Sequence, residues 1–260
     1  MSLDTFSAVW RHEGMGEPHH VLVDAAYWMD DDERRQAWAR AVDELNQRGL
    51  VARGNLDPGF LEALRIVGRP SVEYYGWIAA EDRDIAVLVG SGGDDDGVLL
   101  IRDHQEVHLE PVGPEGMLGA LIGQMPQVPA GRGRGVNLPS AEVQRLAKTV
   151  SGQPGAVKLP PADEFNVFGR PSMVEDAREW FEVMTSPRTG GGELFAAARN
   201  QYGERKRCEH GLRYVDTQKG RWFLQWTGSG KPGDRWITSA PLTRQMLIGM
   251  LEDMRRHLPN

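Results

Sequence analysis

Residues 97–126 read Gly97-Val98-Leu99-Leu100-Ile101-Arg102-Asp103, a turn at His104-Gln105, then Glu106-Val107-His108-Leu109. Pro114 follows, and an apolar helical run from Met117 to Met125 closes at Pro126. The C-terminal region repeats this pattern. Gly211 opens Leu212-Arg213-Tyr214-Val215-Asp216, a turn falls at Gln218-Lys219-Gly220, and Arg221-Trp222-Phe223-Leu224-Gln225-Trp226 returns. After a longer loop, Pro241 leads into Met246-Leu247-Ile248-Gly249-Met250-Leu251. With one residue of slack after each proline, Leu121-Ile122-Gly123 aligns with Leu247-Ile248-Gly249. A duplicated strand-turn-strand-helix unit implies a pseudo-symmetric scaffold more readily than a pocket enzyme.

Upstream of the first copy, Asp30-Asp31-Asp32 starts a helix in which Trp38, Ala41, Val42 and Leu45 keep helical spacing. Asp57-Pro58 opens a second helix that ends at Gly68-Arg69-Pro70. Residues 72–78 and 85–89 then alternate as strands around a polar tip, with connections too short for a crossover helix. The meander is therefore antiparallel. Residues 127–138 are rich in Gly, Pro and Arg and read as a linker between two halves, 1–126 and 139–260. In the second half Ser140 caps a helix carrying Val143, Leu146, Ala147 and Val150, and Ser172-Met173-Val174-Glu175 is a capping box. Gly190-Gly191-Gly192 reads as the break before a strand over 193–198, and Arg205-Lys206-Arg207 as a solvated basic turn.

Composition narrows the class. The 260 residues suffice for a sizeable core, and 40% hydrophobic with 26% charged residues is ordinary for a globular protein. A net charge of -7 opposes nucleic-acid binding, which needs a concentrated basic face. The single cysteine, Cys208, excludes an intramolecular disulfide and fits a reducing compartment. No stretch approaches a membrane span of roughly 20 apolar residues, so the expected location is cytoplasmic.

The chain offers little chemistry. It has no Gly-x-Ser-x-Gly elbow and no His-Glu-x-x-His. Gly228-Ser229-Gly230-Lys231 is followed by Pro232 and joins two strand-like segments, so it reads as a hairpin loop and not a phosphate cradle. Asp94-Asp95-Asp96 lacks the alternation of a calcium loop. Cys208, His210 and His19-His20 lack the paired spacings of zinc sites. No metal, cofactor or catalytic residue is expected. Two methionine stripes, Met117/Leu121/Met125 and Met246/Met250/Met254, read first as core.

The layout of the whole chain resembles the EspG family of chaperones associated with type VII (ESX) secretion in actinobacteria. The resemblance rests on the opening 6–18 (Phe6-Ser7-Ala8-Val9-Trp10 through Glu17-Pro18), on Glu44-Leu45-Asn46-Gln47-Arg48-Gly49, and on Ile66-Val67-Gly68-Arg69-Pro70. Gly220-Arg221-Trp222-Phe223 and Asp234-Arg235-Trp236-Ile237-Thr238 complete it. It implies an α+β fold, a central antiparallel sheet flanked by helical bundles with two pseudo-twofold halves. It also implies a non-enzymatic chaperone that binds a helical secretion substrate, a PE–PPE heterodimer at the PPE tip or a WXG100-type pair. Partner contacts would fall at Trp77, Asp94, Asp95, Asp96, Gln225, Trp226 and Arg235, and the open sheet leaves room for a weak homodimer. The other reading is an α+β hydrolase or small-ligand-binding protein with a dispersed site.

Overall fold

Caps start the first helices. In the computed structural model, which describes residues 1–22, 30–93, 96–141, 143, 171–228 and 235–258, α1 (Leu3–His12) is capped by Ser2 and buries Leu3, Phe6, Val9 and Trp10. α2 (Asp31–Gln47) begins in a capping box: the Asp30 carboxylate accepts from the Asp32 and Glu33 amides, and Glu33 accepts from the Asp30 N–H. Glu44 of α2 reaches α1, accepting from the Ser2 amide at 2.9 Å, the Ser2 hydroxyl at 2.7 Å and the Thr5 hydroxyl at 2.5 Å. Partial burial opposes its charge, yet these donors and Arg48 outweigh burial and hold the carboxyl at about 2. A small hairpin, β1 (Val51–Ala52) and β2 (Asn55–Leu56), turns through Arg53-Gly54. α3 (Pro58–Gly68) is capped by Asp57 and buries Phe60, Leu64, Ile66 and Val67.

The meander follows as β3 (Val72–Ala80), β4 (Asp84–Ser91), β5 (Gly97–Asp103) and β6 (Glu106–Val112), closed by the short α4 (Met117–Gly123). Then come β7 (Val136–Pro139), α5 (Pro171–Met184), β8 (Arg188–Arg199), β9 (Arg205–Arg207), β10 (Leu212–Thr217), β11 (Gly220–Thr227), β12 (Trp236–Pro241) and α6 (Arg244–Arg256). Among the described residues, ten strands form one antiparallel sheet in the order β6-β5-β4-β3-β8-β10-β11-β12-β7, with β9 paired to β8. The class is α+β.

The chain divides into two compact units: Met1–Pro126 with Glu193–Gly211 and Ile248–Asn260, and Gln127–Gly192 with Leu212–Leu247. In the first, Tyr75, Ala86, Leu88, Val98, Leu100 and Val107 pack under α1 and α3. Strand alternation sends Val87, Val89, Leu99 and Ile101 to the opposite face, where α4 lies over β3, β4 and β5. Met117, Leu121 and Met125 are buried, so the first methionine stripe is core.

In the second unit, Ala177, Trp180, Phe181 and Val183 of α5 cover Val215, Trp222, Ile237, Val136 and Leu138. Behind Trp222, residues 127–138 are pinned to the strands. The Gly131 N–H donates to the Arg221 carbonyl at 3.0 Å, and the Arg221 N–H to the Pro129 carbonyl at 2.8 Å. A Cβ at Gly131 would stand 1.8 Å from Trp222 Nε1. The glycines that look like linker composition thus let this segment lie flat on the indole, and its end becomes edge strand β7. Arg221 also makes a buried two-pronged pair with Asp216, at 2.6 and 2.7 Å, and lies 4.9 Å from the Tyr214 ring centre.

Three local expectations change. β8 begins at Arg188 and runs through Gly190-Gly191-Gly192, because the neighbouring strand comes so close that a Cβ at Gly191 would meet the Tyr214 carbonyl at 2.9 Å. Arg205-Lys206-Arg207 is strand β9 and not a solvated turn; Arg205 turns inward to buried Glu73. The sheet order differs from the sequence match. The runs β3-β4-β5-β6-α4 and β8-β10-β11-β12-α6 occupy corresponding places, so β5–β6 stand in that order where β11–β12 do, whereas the sequence repeat sets β5–β6 against β10–β11. Adjacent antiparallel strands share one alternation, so a one-strand shift still aligns. Ser140, Ala141 and Val143 are helical; Leu146, Ala147 and Val150 lie outside the described residues, as do the side chains of the capping box at 172–175.

Replacing Glu44 by Gln is expected to lower stability by about 1.5–3 kcal/mol, since it removes a charged acceptor from three donors. The depressed value makes this contribution full above the ordinary 4.5 and lost as pH falls toward about 2. Urea midpoints measured across that range should fall faster in the wild type than in Glu44→Gln; equal slopes would contradict the assignment. Gly131→Ala should cost about 1–3 kcal/mol by overpacking and alter the Trp222 emission, and an unchanged unfolding midpoint would refute the close contact.

Candidate functional site

Strand alternation puts Glu73, Tyr75 and Trp77 of β3 on one face, and a polar-aromatic stack grows there in the first unit. Glu73 is 2% exposed and accepts from Arg205 Nε at 2.5 Å. Burial pushes its carboxyl up, and the adjoining guanidinium pulls against that. Arg205 Nη2 stands 2.9 Å from His19 Nε2. Burial, with His20 and Arg205 nearby, holds His19 down at about 2, so its ring is neutral and Nε2 accepts from the guanidinium. His19 and His20 lie 4.1 Å apart, each 4.7 Å from Tyr75 and edge-on to it. Phe195 stacks on Tyr75 at 5.3 Å and meets Trp77 edge-on at 6.3 Å. Trp77, 42% exposed, is the solvent end of this stack. Two tyrosines adjacent in β3, Tyr74 and Tyr75, point to opposite faces and both are buried.

The second unit exposes more. Trp226 pairs with Ile237, Thr227 with Trp236 and Gln225 with Thr238. Trp226 and Trp236 are 45% and 41% exposed. Consecutive pairs face opposite ways, so Trp226 continues the Trp222–Leu224–Ile237 face out to solvent. Trp236 belongs to the other face with Phe223, Gln225, Thr227 and Thr238, none of them buried. Arg235, exposed, precedes β12, and its carbonyl accepts from the Ser140 amide at 2.7 Å. At the start of α6 Met246 is 42% exposed while Leu247 and Leu251 are fully buried. The second methionine stripe is therefore not core: Leu247 and Leu251 take that role and Met250 and Met254 are half-buried.

Gln225, Trp226 and Arg235 thus gather at the outer end of one hairpin, and Trp77 ends the aromatic stack of the other unit. Asp96 is exposed before β5, its carbonyl accepting from the Gly92 amide; Asp94 and Asp95 lie outside the described residues. Trp236 and Met246 escape the sequence reading. The alternation Trp236-Ile237-Thr238-Ser239, with its apolar residue at Ile237 inward, carried the signal for the first.

Little here performs chemistry. Cys208, half-buried, accepts from the Ala196 amide at 3.4 Å, and burial pushes its thiol up, away from a nucleophilic thiolate. Among the described residues no three His, Cys, Asp or Glu side chains converge as a metal site, and no helix is long and apolar enough to cross a membrane. What the surfaces offer is contact area: exposed indoles framed by amide, hydroxyl and guanidinium groups, the composition of an interface centre and rim.

No curated protein matches the chain. Among solved structures it is similar to the type VII secretion system chaperone EspG5 of Mycobacterium tuberculosis, determined in complex with the PE25-PPE41 dimer. The likeness has a TM-score of 0.66 at 13% identity over 100% of this chain and 97% of that one, and it establishes the fold. The family profile for EspG matches residues 2–253, nearly the whole chain, and the protein belongs to the EspG family.

Proposed function

We propose that the protein is a cytoplasmic chaperone of a type VII (ESX) secretion system, without catalytic activity. It binds a paired helical secretion substrate, a PE–PPE heterodimer at the PPE tip or a WXG100-type pair, keeps it soluble and delivers it for export. The observation that carries the reading is the exposed outer end of β11 and β12, where Trp226 on one face and Trp236 on the other, with Gln225 and Thr227, reach solvent next to Arg235. An apolar helical tip left in water is an aggregation hazard, and large exposed aromatics with a polar rim are the surface that covers one. The relative EspG5, solved holding a PE–PPE dimer, gives the same reading a precedent on this fold.

Trp77 and Asp94-Asp95-Asp96 join the proposal as a contact from the first meander. The chain is further read as two halves, 1–126 and 139–260, joined through 127–138 and descended from one strand-and-helix unit. Divergence between them gives the second half the client: it holds Trp226 and Trp236 and an exposed Met246. Methionine adapts to varied apolar shapes.

Co-expression with each PE–PPE and WXG100-type pair of the source organism tests this directly. One pair should co-purify as a monodisperse complex. Trp226→Ala and Trp236→Ala should each weaken it about 30-fold, the loss of a hot spot worth about 2 kcal/mol, with unchanged circular dichroism. Failure of every pair to co-purify would overturn the reading, and full affinity in both variants would overturn the assigned surface.

A further inference from the structure

A second surface in the first unit has the geometry of a strand-addition groove, and its lining holds no tryptophan. β6 is the last strand at its end of the sheet. Pro111 lacks an N–H and stands opposite Val98, so that pair is one without ladder bonds to β5. By the same alternation Val107 and Leu109 also turn their backbone groups away from β5. Val107 confirms the direction, since its N–H donates outward to the Met1 carbonyl at 2.8 Å. The Leu3 N–H donates to the Gln105 carbonyl at 2.7 Å, and Ser2 bridges Glu106 in antiparallel fashion. Residues 1–3 therefore cover the first step of the edge. At the next step the Leu109 N–H and carbonyl have no hydrogen-bond partner among the described residues.

Directly beside this open step runs a cleft of about 750 Å³ between the edge and α3. Leu50, Phe60, Ala63 and Ile66 line one wall, Val107 and Leu109 the other. A strand laid on Leu109 would alternate its side chains. One set enters the cleft. The other falls on the face of His108 and Glu110, where a cross-strand neighbour of Glu110 is rewarded for being basic. Glu110 and, at the end of the cleft, Asp96 are exposed and have no ion-pair partner among the described residues.

We propose that the groove between α3 and the β6 edge binds an extended peptide segment with alternating apolar residues and basic flanks, adding it to the sheet as a strand. Main-chain bonds to Leu109 give register, the cleft selects apolar side chains, and Glu110 with Asp96 selects positive charge. Unused edge pairing, a lined cleft and two carboxylates without an ion pair among the described residues coincide at one place. Arg48 on the same lining is paired with Glu44, and Glu62 with Arg65.

The test uses the full chain and a short capped peptide of alternating valine and threonine flanked by lysines, labelled for fluorescence anisotropy. Saturable binding is expected, with slowed hydrogen exchange at the Leu109 amide. Three comparisons should each lose at least ~10-fold in affinity: a glutamate-flanked peptide, a peptide N-methylated at alternate amides, and the variant Glu110→Lys. Leu109→Pro, which removes the outward N–H together with the leucine side chain in the cleft wall, should abolish binding; where it fails to fold, Ala63→Leu, which narrows the cleft, replaces it. No saturable binding, or binding indifferent to Glu110→Lys and to N-methylation, overturns the proposal. So does concentration-dependent self-association that protects the Leu109 amide while the peptide stays unbound, since the edge would then belong to a second copy.

Discussion

A Cβ on Gly76 would lie 2.0 Å from the Glu193 carbonyl oxygen, so β3 and β8 meet only because residue 76 has no side chain. Three residues earlier in the same strand, Glu73 is buried and takes Arg205 of β9, which pairs with β8. The close approach and the ion pair act together on the middle of the sheet order, where one four-strand run ends and the other begins. Removing one partner of such a buried pair strands a charge and is costly even where the pair itself adds little. The aromatic stack of His19, His20, Tyr75, Phe195 and Trp77 rests on this joint, and with it the position of the exposed Trp77 indole.

Elements whose signals are local were legible in the chain. The Asp30 capping box, the Asp57-Pro58 start and the alternating strands of the meander each lie within a few residues of what they determine. The sequence repeat reads one strand off the sheet order, because the period-2 pattern of neighbouring strands is alike and the turn residues alone fix the register. Features set by distant partners were not. Nothing near Arg205 announces Glu73, 132 residues away, so a basic triplet reads as a solvated turn. Nothing near Gly131 announces Trp222, so a glycine-arginine run reads as a free linker although it lies against an indole. Of the residues proposed to contact a partner, Gln225, Trp226 and Arg235 were named from alternation and the family resemblance, and all three are exposed. Trp236 and Met246 were passed over because exposure depends on which face of the sheet and which face of α6 is left uncovered.

The two closing helices make the same point about function. Both regions present Met and Leu at helical spacing, yet Met117 of α4 and Met125 just beyond it are buried, whereas α6 buries Leu247 and Leu251 and leaves Met246 in solvent. Two similar closing helices can thus bury their methionines or turn one outward, and Trp226, Trp236 and Met246 stand exposed. The proposed client contact is what would cover them.

Amide hydrogen exchange of the protein alone and in its complex locates the client surface. A client held at the outer end of β11 and β12 slows exchange across residues 225–228 and 235–238 and leaves α1 and α2 unchanged. Protection confined to other elements, with β11 and β12 exchanging as in the free protein, would contradict this placement.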